Sequence, residues 1–407
     1  MSGPHLIGGV SLSIPTPFHG RTSALNEKQA WRDWSGYLAA ASYEPTHERE
    51  YYAIRNAAAL IDVSPLFKYD VTGPEALLLV NKIMTRDFGR CQIGQVMYSP
   101  WCDEQGHMID DGTVWRIAED QFRITAADPS LRWFQDVGFG MDARVSDVSD
   151  NLAAVALQGP NSRSILADVV SGAELDDLNY YHLAKVDVEG FPLTITRTGY
   201  TGDLGFELWV SPEHAERLWD ILMAAGQGYG LLPAGMVALD IARIEAGLLL
   251  IEVDYVSAPK ALIPERKSTP FEAGLGWAVG LDKGPFVGRR ALLAQKESGA
   301  KWAMAGLEID WLELEHLFAE VDLPPMVAGQ ASREAVPVYD GRRQVGQATS
   351  RTFSPIQKRY IGLATLEREA ADLGADLEIE VTVEYARRRC RARVVKTPFF
   401  DPARKRL

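Results

Sequence analysis

A strand, a Gly-Pro pair and a helix occur twice in this chain, and that repetition limits the fold more than any other feature. Tyr69-Asp70-Val71-Thr72-Gly73-Pro74 runs into Glu75-Ala76-Leu77-Leu78-Leu79-Val80, and Val155-Ala156-Leu157-Gln158-Gly159-Pro160 runs into Asn161-Ser162-Arg163-Ser164-Ile165-Leu166. Pro160 falls 86 residues after Pro74. Each copy reads as a strand, a tight turn and a helix with proline at its first position. The pattern predicts two related α+β halves, each a sheet with helices packed on it.

The rest of the chain differs in texture. Pro15, Pro17 and Gly20 break any early periodicity, so residues 1–46 read as an irregular arm. Trp31, Trp34, Tyr37 and Leu38 recur at helical spacing, which predicts a helix at the end of that arm. Val237–Ala246 reads as a helix stopped by Gly247. Composition shifts near residue 300. Short strands then follow at Val336–Tyr339, Gln344–Thr349, Ile361–Leu366, Leu377–Val383 and Arg391–Val395, which suits a small antiparallel barrel. The expected division is 1–46 as arm and helix, 47–300 as a region of two interleaved α+β domains, and 301–407 as the barrel.

Bulk properties exclude several classes. A net charge of −13 provides no basic field, so no nucleic acid is expected as a partner. The dense run Arg387-Arg388-Arg389-Cys390-Arg391-Ala392-Arg393 reads as a solvated strand face. Gly247–Val253, an apolar run broken by Glu252, is far too short to span a bilayer, so no membrane partner is expected. Cys91, Cys102 and Cys390 are isolated, and the 7 histidines form no ligand cluster. No metal is expected, and a reducing, cytoplasmic location fits. Nucleophile elbows, dinucleotide fingerprints and phosphate-binding loops are missing, which argues against hydrolase, NAD and NTP chemistry.

Two carboxylate sites remain. Leu193–Thr196 and Phe206–Val210 flank a Gly/Asp-rich turn and read as a β-hairpin. Period two puts Phe206, Leu208 and Val210 on one face and Glu207 beside Trp209 on the other. A carboxylate held next to an indole could grip a flat, donor-edged ring. The second site is Asp110-Asp111, where a turn feeds a strand. Taken alone, Asp110-Asp111 are equally well turn residues, and Glu207 is equally well a solvent-facing strand residue.

The residues around both sites together resemble the glycine cleavage T-protein family, the tetrahydrofolate-dependent aminomethyltransferases and their demethylase relatives. Gly199–Leu208 matches the family hairpin G-Y-T-G-x-x-G-[FY]-E-[IL], and Tyr98-Ser99 through Ile109-Asp110-Asp111 matches its turn. Further matches are Asp62-Val63-Ser64, Ala156–Asn161, Arg243–Gly247, Phe286–Arg289 and Thr352–Pro355. The resemblance implies a three-domain cloverleaf of two related sheet-plus-helix domains and a C-terminal antiparallel β-barrel around a central folate site. It implies Glu207 as the pterin-binding glutamate and Asp110 as the catalytic aspartate near folate N5. It also implies Tyr98, Tyr181, Asp111 and Tyr200 as contacts to the cofactor, tetrahydrofolate.

Four departures from the family pattern concern the donor. Leu239 stands where the aminomethyltransferases carry an arginine, Pro65 where they carry histidine, Ala126 where they carry asparagine, and Ile251 where they carry tyrosine. These favour a demethylase-like reaction, with a small methylated donor giving up a methyl or methylene group. The alternatives are the glycine cleavage aminomethyltransferase itself, with an aminomethylated donor on a lipoyl carrier protein, and a non-enzymatic folate-binding scaffold. The scaffold relatives carry a cysteine where this chain has Leu248–Val253, which disfavours that reading.

Overall fold

The structure is a computed structural model describing residues 6–7, 10–11, 13–170, 175 and 177–407. The repeat is real in three dimensions. In the first half, strand Phe67–Thr72 leads through Gly73-Pro74 to helix Ala76–Ile83. In the second, strand Ala153–Gln158 leads through Gly159-Pro160 to helix Ser162–Val169. Gly73 and Gly159 have the same φ of +122°. The helices begin two residues after each proline rather than on it. Each proline sits inside a turn closed by Ala76 N–H on Gly73 O (2.9 Å) and by Ser162 N–H on Gly159 O (3.0 Å). Proline presets φ for the second position of such a turn, which is the stronger local demand.

Each half then lays down a three-strand meander whose last strand returns beside the first. In the first half the meander is Val96–Cys102, Met108–Ala118 and Gln121–Ala126, and in the second it is Leu183–Val188, Phe191–Thr196 and Gly205–Val210. Strand Arg144–Asp147 completes the first sheet, and Ala58–Asp62 and Leu231–Pro233 complete the second. Ala153–Gln158 is buried at every position, because helices cover both faces of its sheet. Helices Ser162–Val169 and Ala215–Gly226 pack on one face, with Phe206, Leu208 and Val210 beneath them. Helices Glu48–Asn56 and Met236–Glu245 pack on the other, around Trp209 and Leu239.

A closed six-stranded barrel, Trp302–Ile309, Val336–Asp340, Arg343–Ser354, Arg359–Glu367, Asp376–Val383 and Ala386–Val395, forms the third unit. Its first strand was invisible in the sequence pattern. In the last strand Cys390, Ala392 and Val394 point inward, while the alternating arginines pair outside, Arg389 with Glu378, Arg391 with Asp310 and Glu313, and Arg393 with Asp376. The expected helix over Trp31–Leu38 is instead a hairpin, Trp31–Trp34 with Tyr37–Ala40. Ser35 (φ 51°) and Gly36 (φ 82°) form its two-residue loop, and that turn chemistry overrides the helical spacing of the aromatics. No helix among the described residues is long and apolar enough to cross a membrane.

Candidate functional site

The two halves meet edge to edge. Val96 N–H donates to Tyr181 O (2.8 Å), and Leu183 N–H donates to Gly94 O (2.8 Å). This main-chain joint puts Tyr181 two residues from Tyr98 across the seam. Tyr181 holds φ at +60°, a left-handed conformation unusual for a tyrosine.

On one side of the seam stand the aspartates. Asp110 is fully buried. Its Oδ2 accepts the N–H groups of Ala127 (3.0 Å) and Asp128 (2.9 Å), and its Oδ1 accepts that of Asp111 (2.7 Å). Asp111 takes the hydroxyl of Tyr98 at 2.8 Å and, on its other oxygen, that of Tyr255. Tyr255 also reaches Asp110 Oδ1 at 3.5 Å, so one phenol touches both carboxyls. Burial, and then the charge of Asp111, push the Asp110 pKa well up, against the pull of its main-chain donors. Burial likewise raises Asp111, against the Tyr255 and Tyr98 hydroxyls. Trp277, 62% exposed, stacks on Tyr98 with centroids 5.8 Å apart, and Arg86 lies 5.3 Å over the Trp277 ring.

Neutralising Asp111 removes the charge that opposes ionisation of Asp110. The Asp111→Asn variant is therefore expected to move the acid limb of the kcat/KM profile to lower pH. A limb that stays in place, or moves up, shows that the two carboxyls do not titrate as a pair.

On the other side of the seam stands Glu207, half-buried on strand Gly205–Val210. Its Oε2 accepts the hydroxyls of Thr198 (2.5 Å) and Thr196 (3.4 Å). Thr196 and Thr198 share a 2.7 Å hydrogen bond, and the Trp209 indole donates to Thr196 at 3.2 Å. Among the described residues, no cation pairs with Glu207. Burial raises its pKa. The duplication supplies an internal comparison. Arg123 occupies the place of Glu207 in the first half, opposite Asp70 as Glu207 is opposite Ala156. There the pair closes on itself, with Arg123 bidentate to Asp70 at 2.7 and 2.9 Å. In the second half the methyl of Ala156 leaves the carboxylate unmatched.

The hairpin motif has a packing cause. Buried Gln158 donates to Thr198 O (3.2 Å) and Phe206 O (3.3 Å) and accepts from Thr201 (2.8 Å), holding the turn from inside. A Cβ on Gly199 or Gly205 would lie 2.1 or 2.3 Å from the Gln158 amide, so neither position admits a side chain. Trp209 does not offer the free indole face expected beside Glu207. It is 1% exposed and packs edge-on against Trp115 at 4.8 Å. Tyr200 and Tyr181 line that side instead, both half-buried, and the Tyr200 hydroxyl is tied to Leu249 O.

The structure thus groups Tyr98, Asp110, Asp111 and Ile251 on one side and Tyr181, Tyr200, Glu207 and Leu239 on the other. Ala126 is buried in the first sheet's core, next to the Ala127 N–H that serves Asp110. Pro65 is buried between Val63 and Leu66, which pack in the central cluster. Tyr255, Trp277, Arg86, Thr196 and Thr198 were not found from the sequence. The first two lie in the irregular stretch 246–288, where no periodicity marks a residue.

Comparison with known proteins now adds to this geometry. Residues 19–283 match the family model of the GCVT N-terminal domain, and residues 321–401 match that of the glycine cleavage T-protein C-terminal barrel domain. The chain belongs to the glycine cleavage T-protein family. It is a folate-dependent one-carbon transferase. An aminomethyltransferase of Halothermothrix orenii is 35% identical over 372 residues, covering 90% of this chain and 95% of that one. A trimethylamine-oxide aldolase of Ruegeria pomeroyi is 33% identical over 404 residues, covering 96% of this chain but 47% of that one. Among solved structures, the glycine cleavage system aminomethyltransferase T of Bartonella henselae superposes with a TM-score of 0.79 at 24% identity, covering 95% of this chain and 98% of that one. That likeness concerns the T-protein fold, α+β with a C-terminal barrel.

Proposed function

We propose that this T-protein family member moves a one-carbon unit from an aminomethyl donor to N5 of tetrahydrofolate, bound across the seam between the two sheets. The observation that carries the reading is Glu207, a half-buried carboxylate without a cation among the described residues, facing the same seam as the buried Asp110. A pterin ring presents an amino group and an adjacent ring N–H, a two-donor edge that one carboxylate accepts in parallel. The residues fit that group. Glu207 would take the pterin edge, Tyr181 and Tyr200 would line it, and Tyr98 and Trp277 would cover the opposite approach. Tetrahydrofolate supplies the nucleophilic nitrogen. Asp110, fixed by three main-chain donors, would orient that nitrogen and hold its proton. Burial and the neighbouring Asp111 raise its pKa, which makes proton uptake easier than for a solvated carboxylate. As an anion it would also stabilise positive charge developing beside it. Holding both reactants in place is the largest available effect, with effective molarities of about 10⁵–10⁸ M. Residues 47–300 would form the folate-holding region, with 1–46 as the arm and 301–407 as the barrel.

The relatives support an aminomethyl donor, delivered on a lipoyl carrier protein, better than the methyl donor favoured by the sequence departures. A second reading keeps a small methylated amine as donor. Leu239 in place of an arginine and the match to a trimethylamine-oxide aldolase support it. Product analysis separates the two. Incubation with tetrahydrofolate and an aminomethylated lipoyl carrier is expected to give 5,10-methylene-tetrahydrofolate, with release of ammonia and the free lipoyl thiol. Product with methylated amines alone selects the second reading, and no folate product with any donor sinks both.

A further inference from the structure

The segment 397–407 crosses the outside of the hairpin connection 197–204 and fastens both of its ends. At one end Arg197 donates to Leu178 O (3.0 Å) and to Leu407 O (2.6 Å). At the other end Arg404 grips Asp203 with two parallel bonds of 2.7 and 2.8 Å and also donates to Arg55 O (3.1 Å). Phe400 N–H anchors the segment to Glu245 O at 2.8 Å. Lys405 lies 5.8 Å over the ring of Tyr180, which packs edge-on against Tyr181 at 4.7 Å. Between the two fastened ends sits Thr198, whose hydroxyl holds Glu207 Oε2 at 2.5 Å. A connection carrying Gly199 and Gly202 has little stiffness of its own. Gln158 restrains it from inside, and the segment 397–407 restrains it from outside.

We propose that this segment is a positioning strap for the folate grip. Arg404 and Arg197 hold the connection so that Thr198 presents Glu207 in a fixed orientation toward the pterin edge. The proposal rests on Glu207 being that grip. Arg404 bonds to Asp203 and Arg55 O rather than to Glu207, and it is 38% exposed, so its removal leaves no buried cavity.

The test is calorimetric titration of the full chain with tetrahydrofolate, alongside thermal melting. The Arg404→Gln variant is expected to bind roughly 10-fold more weakly at temperatures well below its Tm, with kcat at saturating folate little changed. Thr198→Val is expected to weaken binding by a similar factor. The combined variant should lose no more than either alone, because strap and hydroxyl act in series. Arg404→Lys keeps the charge without the fork and is expected to recover only part of the loss. Wild-type affinity in Arg404→Gln, or losses that multiply in the combined variant, overturn the proposal. A lowered Tm with unaltered affinity assigns Arg404 to stability alone. Glu207→Ala separates the layers. Unchanged affinity there removes the grip itself, whereas weakened Glu207→Ala beside unaltered Arg404→Gln removes only the strap.

Discussion

Asp110→Asn is expected to lower kcat by about 10²–10⁴-fold, the range typical of losing a positioned acid–base group. Tetrahydrofolate affinity should stay within a small factor of wild type, because the proposed grip on the far edge of the ligand is Glu207 rather than Asp110. The amide keeps the shape of the carboxyl but not its charge, and its NH₂ cannot accept the main-chain donors that now converge on Asp110. Two effects on stability oppose each other: a main-chain donor left without an acceptor costs about 1–3 kcal/mol, and removal of a buried charge offsets part of that. The wild-type carboxyl is buried against Asp111, so its ionisation is opposed in the folded protein. Single-turnover kinetics with calorimetry check this. Turnover near the wild-type rate would falsify the assignment, and a parallel collapse of affinity would move Asp110 from chemistry to binding.

Arg55→Met is expected to destabilise the folded chain by about 3–5 kcal/mol, the usual cost of stranding buried opposite charges. The Arg55 side chain is fully buried between Glu245 and Asp203. Nε donates to Glu245 at 2.8 Å, one terminal nitrogen to Thr201 O (2.9 Å) and Asp203 (3.5 Å), and the other to Ala242 O (3.0 Å), lying 2.7 Å from the Glu245 carboxylate as an ion pair. Glu245 additionally takes Ser354 of the barrel at 2.6 Å. Removing Arg55 therefore loosens the helix Glu48–Asn56, the hairpin turn, the helix Met236–Glu245 and the barrel together. Urea denaturation gives the number. A loss below about 1 kcal/mol, as for exposed ion pairs, shows that water reaches Glu245 and Asp203.

Much of this was legible beforehand because backbone chemistry writes itself into local sequence. The two Gly-Pro turns, the hairpin over 191–210, the helix ended by Gly247 and five barrel strands all carry period or turn signals. What stayed hidden depends on contacts between distant segments. Trp31 to Leu38 showed a helical spacing, yet the Ser35-Gly36 turn decided the outcome. Arg243 and Glu245 stood in a recognisable motif, but only the structure gives them their partners Asp240, Asp254 and Arg55. Tyr255 joins the aspartates from a segment without regular structure. Trp209 was placed on the correct face, but its packing against Trp115 belongs to the other half of the molecule.

The Arg123–Asp70 and Glu207–Ala156 pairs imply a division of labour between the two copies of the repeat. At one address in the scaffold, the first copy fills the position with a complete ion pair, and the sheet there is self-sufficient. In the second copy the same address holds a carboxylate that accepts two threonine hydroxyls and, among the described residues, pairs with no cation, which is what suits it to an outside donor on the reading proposed above. A duplicated scaffold can thus specialise by substitution at one address. One half carries a closed ion pair across its two strands, and its sibling differs at both positions, with Glu207 in place of the arginine and Ala156 in place of the aspartate.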